Sequence, residues 1–278
     1  MKLSACLTLH DRPYSVMQKV FDSMKKQNHN ELVIVFDQTP VLLADYCLEY
    51  WKYDKRTVFV VAPERPPGWR SPVKAWNAAF KKATGDILYC FSSETVQADG
   101  NVGRTREAMK HWAEPAWPDG PKKQDPKWPV DPTPMVLYGS VSCSCGPQGQ
   151  EVNWNGQAPG NLFCNAAHPR PLGFIWAAPA AAVKTIGGYD EAFADGFWYD
   201  DNDFFLRLWR TGLDFLFDDS ISGTHLHHER PVLATPEGQE GTRRNTEIML
   251  KKHGLLHPWD NLPKIEEKRQ GRTTWRHP

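Results

Sequence analysis

Across 278 residues, lysine plus arginine and aspartate plus glutamate are matched at 33 each, so no net field draws the chain to nucleic acid or to an anionic lipid surface. Hydrophobic residues at 40% and charged residues at 24% are an ordinary globular balance, and the length suits one large α/β domain or a domain with a C-terminal extension. No stretch reaches the roughly 18 apolar residues that span a bilayer.

Met1 to Cys6 runs directly into a strand pattern without a secretory h-region, which reads as a cytoplasmic protein. Leu3, Ala5, Leu7 and Leu9 alternate as the first strand. Asp11-Arg12-Pro13 then reads as a helix start with Asp11 at the N-cap, followed by Val16, Met17, Val20, Phe21 and Met24 at helical spacing. Leu32 to Phe36 is a continuous apolar run ending in Asp37, as in a strand buried on both faces. Leu42 to Trp51 is predicted helical and Thr57 to Ala62 a third strand. Ser71-Pro72 opens the next helix, Gly85 closes it, and Ile87 to Phe91 is the fourth strand, ending in Ser92-Ser93-Glu94-Thr95.

This alternation predicts a mostly parallel central sheet with flanking helices and right-handed crossovers. Ligands of such sheets bind beyond the carboxyl ends of the strands, so Thr8 to Arg12, Asp37 to Thr39 and Ser92 to Thr95 are expected to converge on one crevice. From about 113 to 134 a Pro/Lys/Trp-rich stretch reads as an insertion. Val136 to Val141 resumes as strand. Phe174 to Ala178 is apolar, and a short helix ends at Gly187-Gly188. Asp200 to Thr211 is a helix closed by Gly212, and Phe215 to Phe217 and Ile221 to His227 are strand-like. Beyond Pro231 the chain is polar and basic, a solvated tail or a phosphate-contacting patch with one helix near Thr246 to His253. The division expected is a domain over 1–230 and an extension over 231–278 that packs on it or is partly flexible.

Three clusters could carry chemistry. Glu94, at the end of an apolar strand, is either a loop glutamate or a carboxylate placed to hold a divalent cation against a nucleotide diphosphate. Asp200-Asp201-Asn202-Asp203 sets three carboxylates within four residues. Helix capping accounts for one or two of them. Another, among Phe197, Trp198, Tyr199, Phe204 and Phe205, suggests proton or cation chemistry. His225 and His227 share one side of a strand and could face a metal, or simply pack. Cys143-x-Cys145 is too short and isolated for a zinc knuckle, and the six scattered cysteines read as reduced core thiols.

Taken in order, the elements resemble the family 2 glycosyltransferases of the GT-A fold over roughly Leu3 to His228. Leu7-Thr8-Leu9-His10-Asp11-Arg12-Pro13 is similar to that family's first strand and T-x-N-R turn. Glu31 to Thr39 is similar to E-I-I-V-V-D-D-G-S, and Lys74 to Ala79 to A-A-R-N-x-A with Trp76 in place of the arginine. Ile186-Gly187-Gly188-Tyr189-Asp190-Glu191 resembles I-G-G-F-D-E, and Trp198 to Gly212 follows E-D-x-D-L-x-x-R-L-x-x-x-G. Ser92-Ser93-Glu94 stands where the family has D-x-D, keeping one carboxylate.

The resemblance implies a hexosyl- or pentosyltransferase that moves a sugar from a nucleotide-diphosphate donor, a UDP-sugar by preference, to an acceptor hydroxyl. It implies inversion, with Asp201 as general base beside Asp200. Thr8, Leu9, His10, Arg12, Asp37, Lys74, Asn77, Ser92 and Ser93 would hold the nucleotide. Trp176, Asp190, Glu191 and Trp198 would form the acceptor side, the tryptophans as stacking platforms. Glu94 with His225 or His227 would bind Mn²⁺ or Mg²⁺. A glycan, a small molecule or a hydroxylated base in DNA would be the acceptor. The competing reading is a non-catalytic nucleotide-sugar-binding module. A nucleotidyltransferase is disfavoured because Thr8 to Tyr14 lacks the glycine-rich phosphate loop.

Overall fold

A computed structural model describes residues 1–64, 70–110, 135–143, 162–226 and 231–278. The predicted insertion over 113–134, together with Cys145 and His227, lies outside the described residues.

The first half follows the expected alternation: β1 (Leu3–Leu9), α1 (Tyr14–Lys25), β2 (Glu31–Phe36), α2 (Val41–Trp51), β3 (Thr57–Val61), α3 (Val73–Lys82) and β4 (Ile87–Phe91). β4, β1, β2 and β3 lie side by side, and every pairing among them is parallel. The second half adds β5 (Thr95–Gln97), α4 (Asn101–Met109), β6 (Met135–Cys143), β7 (Leu162–Cys164), β8 (Ile175–Pro179), α5 (Ala180–Thr185), α6 (Asp200–Trp209), β9 (Asp214–His225), α7 (Pro236–His253), β10 (Ile265–Arg269) and β11 (Arg272–Arg276). The sheet continues from β4 through β8, β6, β9 and β11 to β10. Beyond β4 it is mixed: β8 runs antiparallel to β4 and to β6, while β9 runs parallel to β6.

Alternation along the strands divides the core in two. Leu7, Leu9 and Ile34 face α1, α2 and α4, contributing with Phe21, Trp51 and Val102 to one cluster. Cys6, Val33, Val35 and Cys90 face α3, α5, α6 and α7, joining Trp76, Val183, Phe204 and Met249 in the other. The result is a mixed α/β fold of three layers. Cys6, Cys47, Cys90 and Cys164 are free thiols inside it.

The local signals are corrected in four places. α1 begins after Pro13 and α3 after Pro72, and neither has a side-chain cap. Pro13 and Pro72 themselves occupy the N-cap positions, displacing Asp11 and Ser71 from that role. Gly85 does not close α3, which stops at Ala83. It is instead a point of close approach, where a Cβ would lie 2.6 Å from the Ser4 backbone nitrogen. The two strand segments near 215 and 221 are one strand, β9, whose register jumps from Asp218 to Ser222 opposite Gly139 and Ser140.

The fourth correction is the basic tail. Thr235 caps α7, Gly254 closes it in the left-handed conformation, and the helix runs 18 residues. β11 pairs with β9 in the main sheet. Arg272 reaches Asp218 and Arg276 reaches Asp214, so these charges are paired within the fold.

Candidate active site

The ends of β1, β2 and β4 meet as expected. The Asp37 N–H and the Thr39 hydroxyl donate to the Leu9 carbonyl, and His10 Nδ1 lies 2.7 Å from the Asp37 carbonyl oxygen. Thr8 and Asp37 are nearly buried, at 8% and 2% exposure. Leu9 belongs to the core with its side chain fully enclosed, so it serves the crevice through its backbone alone. Arg12 crosses from β1 to the Glu94 carboxylate, pairing with it. Ser92 Oγ lies 2.6 Å from Thr95 Oγ1, and Ser93 is buried beside them.

β9 brings in His225. Its partner across the ladder is Thr95, and the Leu226 N–H donates to the Glu94 carbonyl at 2.7 Å. Gly173 and Phe174 complete the join: the Ser92 N–H donates to the Phe174 carbonyl at 3.0 Å, and the Phe174 ring meets His225 edge-on at 5.0 Å. Glu94 and His225 are therefore neighbours. Among the described residues, however, no group of three or more His, Cys, Asp or Glu side chains could hold a metal ion.

The acidic cluster on α6 splits by geometry. Two residues along an α-helix advance about 200°, so Asp201 and Asp203 face opposite ways. Asp203 is fully buried and meets Arg207 Nε at 2.8 Å, His253 Nε2 at 2.8 Å and Lys252, which hold its carboxyl below the ordinary range despite burial. Arg207 also donates to the carbonyls of Ile186 and Gly188, both at 2.8 Å, tying the Gly-Gly-Tyr-Asp-Glu segment to α6.

Asp201 faces the crevice side. Its Oδ2 accepts from the Gly173 N–H and its Oδ1 from the Tyr189 hydroxyl, each at 3.0 Å. Burial, with the neighbouring charge of Asp200, pushes its carboxyl up to about 7, and the two hydrogen bonds oppose that rise. Asp200 is also raised, chiefly by burial. Tyr189 is clamped by stacking on Phe204 at 4.0 Å between centroids, and its backbone pairs with the Asn77 amide at 2.8 and 2.9 Å.

Several expected binding residues have other employment. Asn77 holds Tyr189 and Glu191 rather than the strand-end cluster. Asp190 accepts from the Ala192 N–H at 2.9 Å and meets Lys252 at 2.5 Å, a cap and an ion pair. Trp176 is wholly buried among Phe80, Phe204 and Phe205, so its faces are unavailable for stacking on a ligand. Lys74 is half-buried on α3. Trp198 is half-buried just before Asp200, with φ 69°, followed by Tyr199 at φ 65°. Left-handed backbone is costly for such residues, roughly 1–2 kcal/mol each, and persists where surroundings impose it.

Those surroundings come from α7, which no sequence motif connects to the site. Asn245 donates to the carbonyls of Phe193 and Trp198 at 3.2 and 3.0 Å, and the Phe197 N–H donates to the Gly241 carbonyl at 3.2 Å. The signals that mark this helix are Thr235-Pro236 as a cap and Gly254 as a stop. The expected helix near Thr246 to His253 is the second half of α7, and sparse apolar spacing hides the first half, from Pro236 onward.

No protein-family profile matches the chain, and no curated protein does. Solved structures do. TarS 1–349 of S. aureus superposes with a TM-score of 0.56 at 14% identity, over 81% of this chain and 60% of that one. The mannosyltransferase PcManGT of Pyrobaculum calidifontis, in complex with GDP-Man and Mn²⁺, gives 0.52 at 15% identity, over 84% of this chain and 59% of that one. GalNAc-T7 with UDP, GalNAc and Mn²⁺ gives 0.57 at 13% identity, over 89% of this chain and 48% of that one. The chain thus has the GT-A fold and spans about 60% or less of the length of these three neighbours. Among the described residues no helix is long and apolar enough to cross a membrane.

Proposed function

We propose that this GT-A-fold chain is a glycosyltransferase that moves a sugar from a nucleotide-diphosphate donor to an acceptor hydroxyl. The observation that carries the reading is Asp201. It is a carboxyl raised to about 7, fixed by Tyr189 and Gly173, and joined through Phe174 to the strand ends where the fold binds ligands. A sugar hydroxyl is a weak nucleophile unless a positioned base takes its proton as it attacks. Asp201 would accept that proton while the new bond forms at the anomeric carbon and the bond to the diphosphate oxygen breaks. A single direct displacement of this kind inverts the anomeric centre.

Thr8, His10, Arg12, Asp37, Ser92 and Ser93 would form the donor side, and Trp198, Tyr199 and the Asp200–Asp201 turn the acceptor side. The favoured donor is a UDP-sugar, because TarS and GalNAc-T7 are both known in complex with UDP; PcManGT carries GDP-Man. The test is a panel of nucleotide sugars scored for melting shift and for donor hydrolysis or transfer. A bound donor raises the melting point by mass action. Turnover lost in Asp201→Asn supports the enzyme, whereas nucleotide binding without any turnover in the wild type leaves only a binding module.

A divalent cation is a second reading, favoured by the Mn²⁺ in the PcManGT and GalNAc-T7 complexes and by the adjacency of Glu94 and His225. The described residues fit it poorly. The Arg12 guanidinium already lies on Oε1 of the Glu94 carboxylate, and a cation bound to the same carboxylate would stand within a few ångströms of a like charge.

A further inference from the structure

The carboxylate at the end of β4 is matched by an arginine from the end of β1. Arg12 Nε and Nη2 both contact Glu94 Oε1, and Nη1 donates to the Asp11 carbonyl at 2.6 Å. The pair is largely enclosed, with side chains 12% and 6% exposed. Withdrawing either partner would strand a buried charge, so the guanidinium is a fixture of the crevice.

We propose that the Arg12 guanidinium is the cation that meets the donor diphosphate, and that Glu94 positions it rather than binding a metal. This rests on the donor-binding reading above. A guanidinium stays charged at all working pH values, and its planar fork matches phosphate oxygens two at a time. It carries more N–H donors than its present contacts use. The pair stands on rigid strand ends beside Ser92, Ser93 and the Asp37 turn, where a leaving diphosphate needs its charge met. Glu94 fixes the orientation and tempers the charge, so it acts as a positioning residue. A single carboxylate where a metal site needs several ligands is then accounted for.

The two roles of Glu94 predict opposite signs. The full chain is titrated calorimetrically with UDP, GDP and the matching nucleosides, once in EDTA and once in Mn²⁺. The expected result is nucleoside-diphosphate binding of the same strength in both buffers. Arg12→Ala should weaken diphosphate binding by about ten- to a hundredfold, the range of a hydrogen bond to a charged group, with nucleoside binding unchanged. Arg12→Lys should restore part of the loss. Glu94→Gln keeps the side chain's shape and removes one negative charge facing the diphosphate, so binding should be retained or tightened. Binding that requires Mn²⁺, or that is weakened in Glu94→Gln, overturns the proposal and leaves the donor reading intact. If neither diphosphate binds in either buffer, the donor reading falls and the proposal with it. Circular dichroism of both variants checks their folding, and the wild-type comparison of EDTA with Mn²⁺ decides between the two roles should either unfold.

Discussion

The Gly173 N–H donates to Asp201 Oδ2 at 3.0 Å, and a Cβ on Gly173 would lie 2.8 Å from both carboxylate oxygens. The backbone that orients the carboxylate therefore leaves no room for a side chain. Gly173→Ala must push Asp201 aside or break the hydrogen bond. Misplacing a catalytic group by about 1 Å can cost roughly a hundredfold in rate. The expected outcome is a kcat reduced by about ten- to a hundredfold with donor affinity little changed, read by steady-state kinetics beside a donor-binding titration.

Asp201 must be ionised to accept a proton, and its carboxyl sits at about 7. Activity should fall as pH drops through about 7, the acid limb of the rate profile. Tyr189→Phe removes a hydrogen bond that favours the ionised form. A hydrogen bond to a charged group contributes ~1.5–3 kcal/mol, and one pKa unit is ~1.4 kcal/mol. The acid limb in Tyr189→Phe should therefore move up by about one to two units; an unmoved limb would assign the titration to another group.

The same carboxyl links stability to pH. Its folded value lies above the ordinary carboxylate value, so between the two the folded state holds a proton that the unfolded chain has released. Stability from this group is fully present at acid pH and declines as pH rises toward about 7. Asp201→Asn carries no charge and escapes that decline. It should be inactive yet melt higher than wild type at pH 8, by about 2–4 °C for each ~1 kcal/mol recovered in a chain of this size. Melting curves at pH 5 and pH 8 check the sign, since the gap should narrow at the lower pH.

α7 supports the loop before Asp200, and its glycine is informative. Gly→Ala in a helix interior ordinarily gains about 1 kcal/mol. At Gly241 a Cβ would lie 2.5 Å from Phe197 Cδ2, and overpacking costs about 1–3 kcal/mol, so Gly241→Ala should destabilise. Denaturant midpoints measure it, and a stabilised variant would contradict the packing described.

Asn245 is wholly buried and donates to Phe193 and Trp198. Asn245→Ala leaves those carbonyls without that donor, at about 1–3 kcal/mol. It also releases the left-handed Trp198–Tyr199 backbone. Limited proteolysis should then cut near Trp198 faster than in the wild type, with kcat falling more than the global loss of stability explains.

The alternation of strands and helices through β4 is legible in the residues themselves. Apolar periodicity is a local property, and the strand-end positions of Thr8, Asp37 and Ser92 follow from it. The helix expected from Asp200 to Thr211 is legible in the same way, and the motif at Trp198 to Gly212 by its resemblance to a family pattern. What that motif does is not local. Asp201 and Asp203 are two residues apart, and the difference between a carboxyl near neutrality and one held well ionised comes from partners elsewhere. Burial beside Asp200 raises the first against the hydrogen bonds of Tyr189 and Gly173, and Lys252 and His253, about fifty residues onward, hold down the second. Likewise Arg12 and Glu94 stand 82 residues apart, and only the parallel pairing of β1 with β4 brings a guanidinium onto the carboxylate that the sequence alone offers to a metal. Electrostatic character depends on burial and on neighbours through space, and those are fixed when the layers close.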